Sequence, residues 1–92
     1  MQIEVKYLTY IRDLTRTNSE IIEIEGEMDL FELIRILGKR YGDDFYELIL
    51  DTEKMELKNG VIIGINGKVA RRLDEKIRDG DTLVLSIAVG GG

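Results

Sequence analysis

Apolar residues recur along the chain in two periods, and the switch between them divides it into elements. In Ile3-Glu4-Val5-Lys6-Tyr7-Leu8-Thr9-Tyr10 apolar and polar residues alternate as far as Tyr7, which is the period of a half-buried strand. Ile3, Val5 and Tyr7 then face a core. Glu4, Lys6 and Leu8 share the outer face, which leaves Leu8 as an apolar residue among charges. Ile11-Arg12-Asp13-Leu14 reads as the close of this strand. The polar run Thr15 to Ser19, with Asn18 suited to a turn, leads to a second strand over Glu20 to Glu25 with Ile22 and Ile24 inward. These lengths predict an antiparallel hairpin.

The period then changes. Leu30, Leu33, Ile34, Leu37 and Tyr41 fall at i, i+3, i+4, i+7 and i+11, one apolar stripe of a helix that covers the sheet. Asp29 is placed to cap its first N–H groups, Glu32 three residues on approaches a capping box, and Gly42 is expected as a left-handed C-cap. Asp43-Asp44 is placed to cap a shorter helix in which Phe45, Leu48 and Ile49 cluster, and Asp51 to Asn59 reads as a charged surface connection. A third strand, Val61 to Ile65, is apolar on both faces and so is expected to be central or covered. It ends at Asn66-Gly67, the strongest hairpin signal in the chain. Lys68-Val69-Ala70 returns as a short strand. Leu73 and Ile77 pin the next loop to the core, and Asp79-Gly80 turns into a last strand, Thr82 to Ile87, with Leu83, Leu85 and Ile87 on one face.

The predicted order is strand, strand, helix, strand, short strand, strand, which is an α+β fold: a mixed sheet of about five strands with one main helix packed on one face. The last strand is expected to insert beside the first in parallel, with the helix as crossover. This is the ubiquitin-like β-grasp.

Composition narrows the chemistry. With 92 residues the chain makes one domain. No apolar run approaches the ~20 residues of a membrane span. No secretory leader is apparent, so a cytoplasmic location is expected. There is no cysteine and no histidine, which removes the thiol nucleophile, the usual general base and the common metal ligands. We therefore expect neither a self-contained enzyme nor a metal site. The net charge of -5 argues against nucleic acid as a partner. Charge is also divided along the chain. Glu20 through Glu32 holds six acids and no base, whereas Lys68, Arg71, Arg72, Lys76 and Arg78 form a basic run. Arg71 and Arg72 follow Val69, so Leu8, Val69, Arg71 and Arg72 are the candidate docking residues.

The last strand runs into Val89-Gly90-Gly91-Gly92. Three glycines contribute nothing to a core, and residues 90–92 are expected to form a flexible tail on a domain of residues 1–89. A tail without side chains can enter a narrow active site and present the Gly92 carboxylate there.

Three stretches carry a resemblance. Val5-Lys6-Tyr7-Leu8 through Arg12-Asp13-Leu14, Gly64-Ile65-Asn66-Gly67, and Leu73 through Ile77-Arg78-Asp79-Gly80-Asp81 to the terminal glycines together resemble the small sulfur-carrier branch of the ubiquitin-like superfamily. The likeness is greatest to the small subunit of molybdopterin synthase, with the thiamine-pathway sulfur carriers and archaeal ubiquitin-like modifiers related. Ile87-Ala88 stands where that family often has a proline pair. The resemblance implies that a ubiquitin-activating-like adenylyltransferase uses ATP to adenylate Gly92, that a persulfide donor converts it to a thiocarboxylate, and that a molybdopterin synthase large subunit receives the tail. It implies no permanently bound cofactor. Gly92 is then the reacting group, and Gly90 and Gly91 form the slim arm.

Overall fold

In the computed structural model, which describes residues 1–88, the first alternating segment is β1 (Gln2–Tyr7). The chain leaves it through Leu8 into a seven-residue helix, α1 (Thr9–Thr15), and returns antiparallel as β2 (Ser19–Glu23), with Ile3 opposite Ile22. The helix corrects the expectation that Ile11 to Leu14 closes the strand. Ile11 and Thr15 are buried four residues apart, which is helical spacing, but an element of two turns is too short for its period to stand out.

A two-residue strand β3 (Met28–Asp29) leads into the main helix, α2 (Leu30–Tyr41). Asp29 caps it as expected, its Oδ1 accepting the Glu32 N–H at 2.9 Å. Leu30, Leu33, Ile34 and Leu37 are fully buried and Tyr41 half-buried, so the stripe faces the core. Gly42 differs from expectation. Its φ of 103° is positive but its ψ of 174° is extended. The reason is that the chain does not leave the helix but restarts at once as α3 (Asp43–Ile49), and glycine alone adopts that corner without strain. The expected cap from Asp43-Asp44 is corrected: Gly42 holds the N-cap position and both acids fall inside the first turn, while Phe45 and Ile49 are the buried residues of α3. Asp51 to Asn59 is more ordered than a plain connection, because β4 (Leu50–Asp51) pairs with β5 (Glu56–Leu57).

β6 (Val61–Ile65), the Asn66-Gly67 turn and β7 (Lys68–Ala70) form the second hairpin. β8 (Lys76–Ile77) ties the following loop to β3 and buries Ile77. β9 (Thr82–Ile87) completes a five-stranded sheet in the order β2-β1-β9-β6-β7. It lies parallel to β1 and antiparallel to β6. β6, expected to be central or covered, is an internal strand paired with both β9 and β7, but only one of its faces is covered: Ile63 is buried, and Ile62 is 48% exposed on the bare face.

A polar node fastens the helices to this sheet. The Glu20 carboxylate, on β2, accepts hydrogen bonds from the Tyr7 hydroxyl at 2.7 Å, from the Tyr41 hydroxyl and from the Arg40 guanidinium. The Tyr7 and Tyr41 rings meet edge to face at 6.0 Å, and Phe45 lies 5.7 Å beyond Tyr41. Burial and the hydrogen bond to Glu20 hold the Tyr7 hydroxyl far above its ordinary range, and the same causes raise Tyr41. Burial alone would push Glu20 up, but the hydrogen bonds from Tyr41 and Tyr7 and the charge of Arg40 outweigh it and hold the carboxyl below 4.5.

A lowered carboxyl pKa adds stability that is complete above the unfolded value and disappears as pH falls through the folded value. Glu20→Gln should therefore cost roughly 1–3 kcal/mol at neutral pH. In urea unfolding, the gap between wild type and variant should close as pH drops below 4.5. The raised tyrosines act at the other limit: stability should fall as pH rises past 10.0, and Tyr7→Phe should flatten that decline.

Candidate functional site

The first and last strands of the chain lie side by side, in parallel, in the middle of the sheet. β9 is the central strand, and Ala88, the last described residue, leaves its end beside Gly60, whose carbonyl accepts the Ala88 N–H at 2.7 Å. Gly90, Gly91 and Gly92 lie outside the described residues. Among the described residues no group of three acidic side chains is arranged to hold a metal ion, and no helix is long and apolar enough to cross a membrane. The side chains near the end of β9 are Thr9, Ile62 and Ser86, none of which supplies a base in the neutral range.

Recognition is available on the sheet face that the helices leave bare. The register sets Lys6, Val84, Gly64 and Val69 in one line across four strands. Ile62, two residues from Gly64, stands opposite Ser86 on the same face. Leu8 continues β1 in extended conformation, its N–H donating to the Leu85 carbonyl, and is 43% exposed. Leu8 and Val69 thus share a face, but β9 and β6 lie between them. Val84 and Ile62 fill that interval, and Gly64 opens its centre. Sequence reading passed over both residues because each sits in an apolar run whose inward neighbours, Leu83, Leu85 and Ile63, are equally hydrophobic. The exposed Ile62 could be told from its neighbours only once the register was known.

The two arginines part company. Arg72 is bound to Asp74 through two hydrogen bonds of 2.9 and 2.8 Å, which raises the guanidinium and lowers the carboxyl. Arg71 has no ion-pair partner among the described residues and lines a shallow groove with Lys58, Gly60, Ile62 and Val69. The acidic run also divides. Glu20 is drawn into the tyrosine node and Asp29 caps α2, while Glu23, Glu25, Glu27 and Glu32 face solvent.

The geometry of a sheet with its last strand at the centre has close counterparts. A family model described as the ThiS family matches residues 5–92. The chain belongs to the ThiS family. No curated protein matches it. Among solved structures, a protein assigned as molybdopterin converting factor subunit 1 from Pyrococcus furiosus is 27% identical, with 96% of this chain and 98% of that chain covered and a TM-score of 0.76. The SAMP1 structure from Haloferax volcanii is 20% identical, with both chains fully covered and a TM-score of 0.81. Urm1 from Trypanosoma brucei is 22% identical over 99% of this chain and 95% of its own, with a TM-score of 0.80. The fold is therefore the ubiquitin-like β-grasp, α+β as expected, and the chain is a member of the ubiquitin-like sulfur-carrier and modifier group.

In this ThiS-family chain the basic run is expected to act unevenly. Arg71→Glu should slow association with a protein partner, and the defect should shrink as salt screens it. Arg72→Glu should have the smaller effect, because Asp74 already offsets its charge. Stopped-flow association rates at low and high salt measure both.

Proposed function

We propose that this ThiS-family chain is a sulfur carrier whose reacting atom is the carbon of the Gly92 carboxylate. The observation that carries the reading is the family match, which runs through the terminal glycines of a chain that has neither histidine nor cysteine. A carboxylate is a poor electrophile. In a ubiquitin-activating-like adenylyltransferase, a Gly92 oxygen attacks the α-phosphorus of ATP and pyrophosphate leaves, giving an acyl-adenylate. The terminal sulfur of a persulfide then attacks the acyl carbon and AMP leaves. A second thiol cleaves the resulting acyl disulfide, leaving the thiocarboxylate on Gly92 and a disulfide on the donor. The carrier supplies no acid or base to these steps. It supplies the acyl group on an arm without side chains, Gly90 and Gly91, and a docking face of Leu8, Ile62, Val84 and Val69 flanked by Arg71.

Sulfur transfer to a pterin precursor in a molybdopterin synthase large subunit is the acceptor step we favour, on the 27% likeness to the Pyrococcus furiosus subunit. A structure of the Helicobacter pylori molybdopterin-converting factor, a complex of subunits 1 and 2, has the same fold, with a TM-score of 0.64, and supports a protein partner of this kind. The second reading is a protein modifier joined to lysine through Gly92, which the full-length likeness to Haloferax volcanii SAMP1 favours. Both share the activation step and differ in the acceptor.

Removing Gly91 and Gly92 should abolish ATP–pyrophosphate exchange by the cognate activating enzyme and leave thermal unfolding unchanged. Exchange that survives the deletion would sink the carrier reading. Intact mass of protein from the native host should show one oxygen replaced by one sulfur, and a ladder of heavier conjugates on a blot would select the modifier reading. Leu8→Glu and Ile62→Glu should each weaken partner binding about tenfold or more while altering stability by only roughly 0.5 kcal/mol. A large loss of stability with unchanged binding would return both residues to a structural role.

A further inference from the structure

The end of β9 is held by two contacts that ordinary sheet pairing does not supply. β1 ends at Tyr7, so the parallel ladder with β9 runs out after the Leu8 N–H has donated to the Leu85 carbonyl. Ile87, two residues further, has lost its backbone partner on that side. The Thr9 side chain takes the place. The Ile87 N–H donates to Thr9 Oγ1 at 3.3 Å, and the Thr9 hydroxyl donates to the Ile87 carbonyl at 3.2 Å, which uses both the donor and an acceptor lone pair of one hydroxyl. On the opposite side the Ala88 N–H donates to the Gly60 carbonyl at 2.7 Å. Two successive residues at the root of the tail are thus caught from left and right.

The left contact is held by strained backbone. Thr9 has a φ of 52°, a region in which a β-branched residue is an outlier and where glycine or asparagine is the ordinary occupant. Strain of this kind persists where something else requires the residue, and it collects at functional positions. Here the hydroxyl is what a glycine or asparagine would not place identically. Gly60 is constrained by its backbone: its φ is 88°, a region that residues with a Cβ rarely adopt. The chain contains no proline, so nothing covalent stiffens this junction.

We propose that Thr9 is a positioning residue that, together with the Gly60 carbonyl, clamps Ile87 and Ala88 and so fixes the position and direction of the chain at Ala88, the root of the arm. The role rests on the carrier reading, in which the arm must enter a partner's active site. Holding the root of the arm removes freedom that the partner would otherwise have to remove at the moment of reaction.

The test uses the full chain with three variants. Thr9→Val keeps the shape and the branching but loses the hydroxyl, Thr9→Gly relieves the positive φ and also loses it, and Thr9→Ser retains it. Amide hydrogen exchange at Ile87 and Ala88 should quicken roughly threefold to tenfold in Val and Gly variants, the range that one net hydrogen bond allows, and recover in Ser, with Val5 and Leu83 unaltered. Adenylation by the cognate activating enzyme should fall by a similar factor in kcat, with KM near that of wild type because the sheet face is intact, and recover in Ser. Unchanged exchange at Ile87 in both hydroxyl-free variants would overturn the clamp. Faster exchange with undiminished kcat would overturn the positioning role and leave the carrier reading standing. A wild-type chain that is not adenylated at all would instead overturn the carrier reading, and the positioning role with it.

Discussion

The pairing of β9 with β1 is the constraint on which the rest of the molecule depends. It joins Val5 to Leu83 and Tyr7 to Leu85, residues almost eighty positions apart, and it places the last strand at the centre of the sheet. Until it forms, β1–β2 and β6–β7 are two separate hairpins, each marginal alone, and α2 has no continuous surface to cover. Closing so long a loop costs entropy before any contact offsets it, so this should be among the last and slowest steps of folding. The arrangement also has a functional consequence. A chain whose last strand is central delivers its end from the middle of the fold rather than from an edge, with strands on both sides to hold it.

The same register separates stability from recognition. One line across the sheet, Tyr7, Leu85, Ile63 and Ala70, faces α2 and is buried. The adjacent line, Lys6, Val84, Gly64 and Val69, faces outward. Alternation by one residue thus assigns neighbours in the same strand to different tasks, and a register slip of one would exchange them. Exposed Leu8, Ile62 and Val69 add little to folding. Covering an aliphatic side chain of this kind is worth about 1.5–3 kcal/mol, so the outer line holds back apolar surface that only a partner can bury. The Glu20 node complements this division. By drawing Tyr7, Arg40 and Tyr41 to one carboxylate, it locks β1, β2 and α2 together beneath the face that must remain undeformed.

Much of this was legible in the residues. Period-2 alternation located β1 and β2, period-3.6 spacing located α2, Asn66-Gly67 marked its hairpin and Asp29 its cap, because each depends on contacts within a few residues. The misreadings share a different cause. α1 is too short to show its period, Gly42 serves two helices at once, and Ile62 is outward-facing in a run that is apolar throughout. Each depends on what lies next to it in space. The same holds for the site. Leu8 stood out as an apolar residue among charges, and it is exposed, whereas the glycine tail expected from the sequence lies outside the described residues. The outward placement of Val84 and Ile62 and the bonds between Thr9 and Ile87 were not visible, because they follow from which strand lies beside which. Arg71 and Arg72 looked equivalent as neighbours in sequence until Asp74 was seen to occupy one of them.

Under the carrier reading, reactivity and fold are carried by different parts of the chain, and geometry must connect them. Four residues follow Ala88, and even fully extended they reach at most about 14 Å. Under the carrier reading, the phosphate to be attacked must lie within that radius of Ala88 while the partner covers Leu8, Val84, Ile62 and Val69. The root of the arm and the docking face are adjacent: Gly60 and Ile62 belong to the same short stretch, and Thr9 directly follows Leu8. A shift of the docked face by one strand, about 4.8 Å, would use up a third of that reach. On that reading adenylation requires a correctly seated carrier, and a partner that grips the sheet in the wrong place should fail at the chemical step even when it binds.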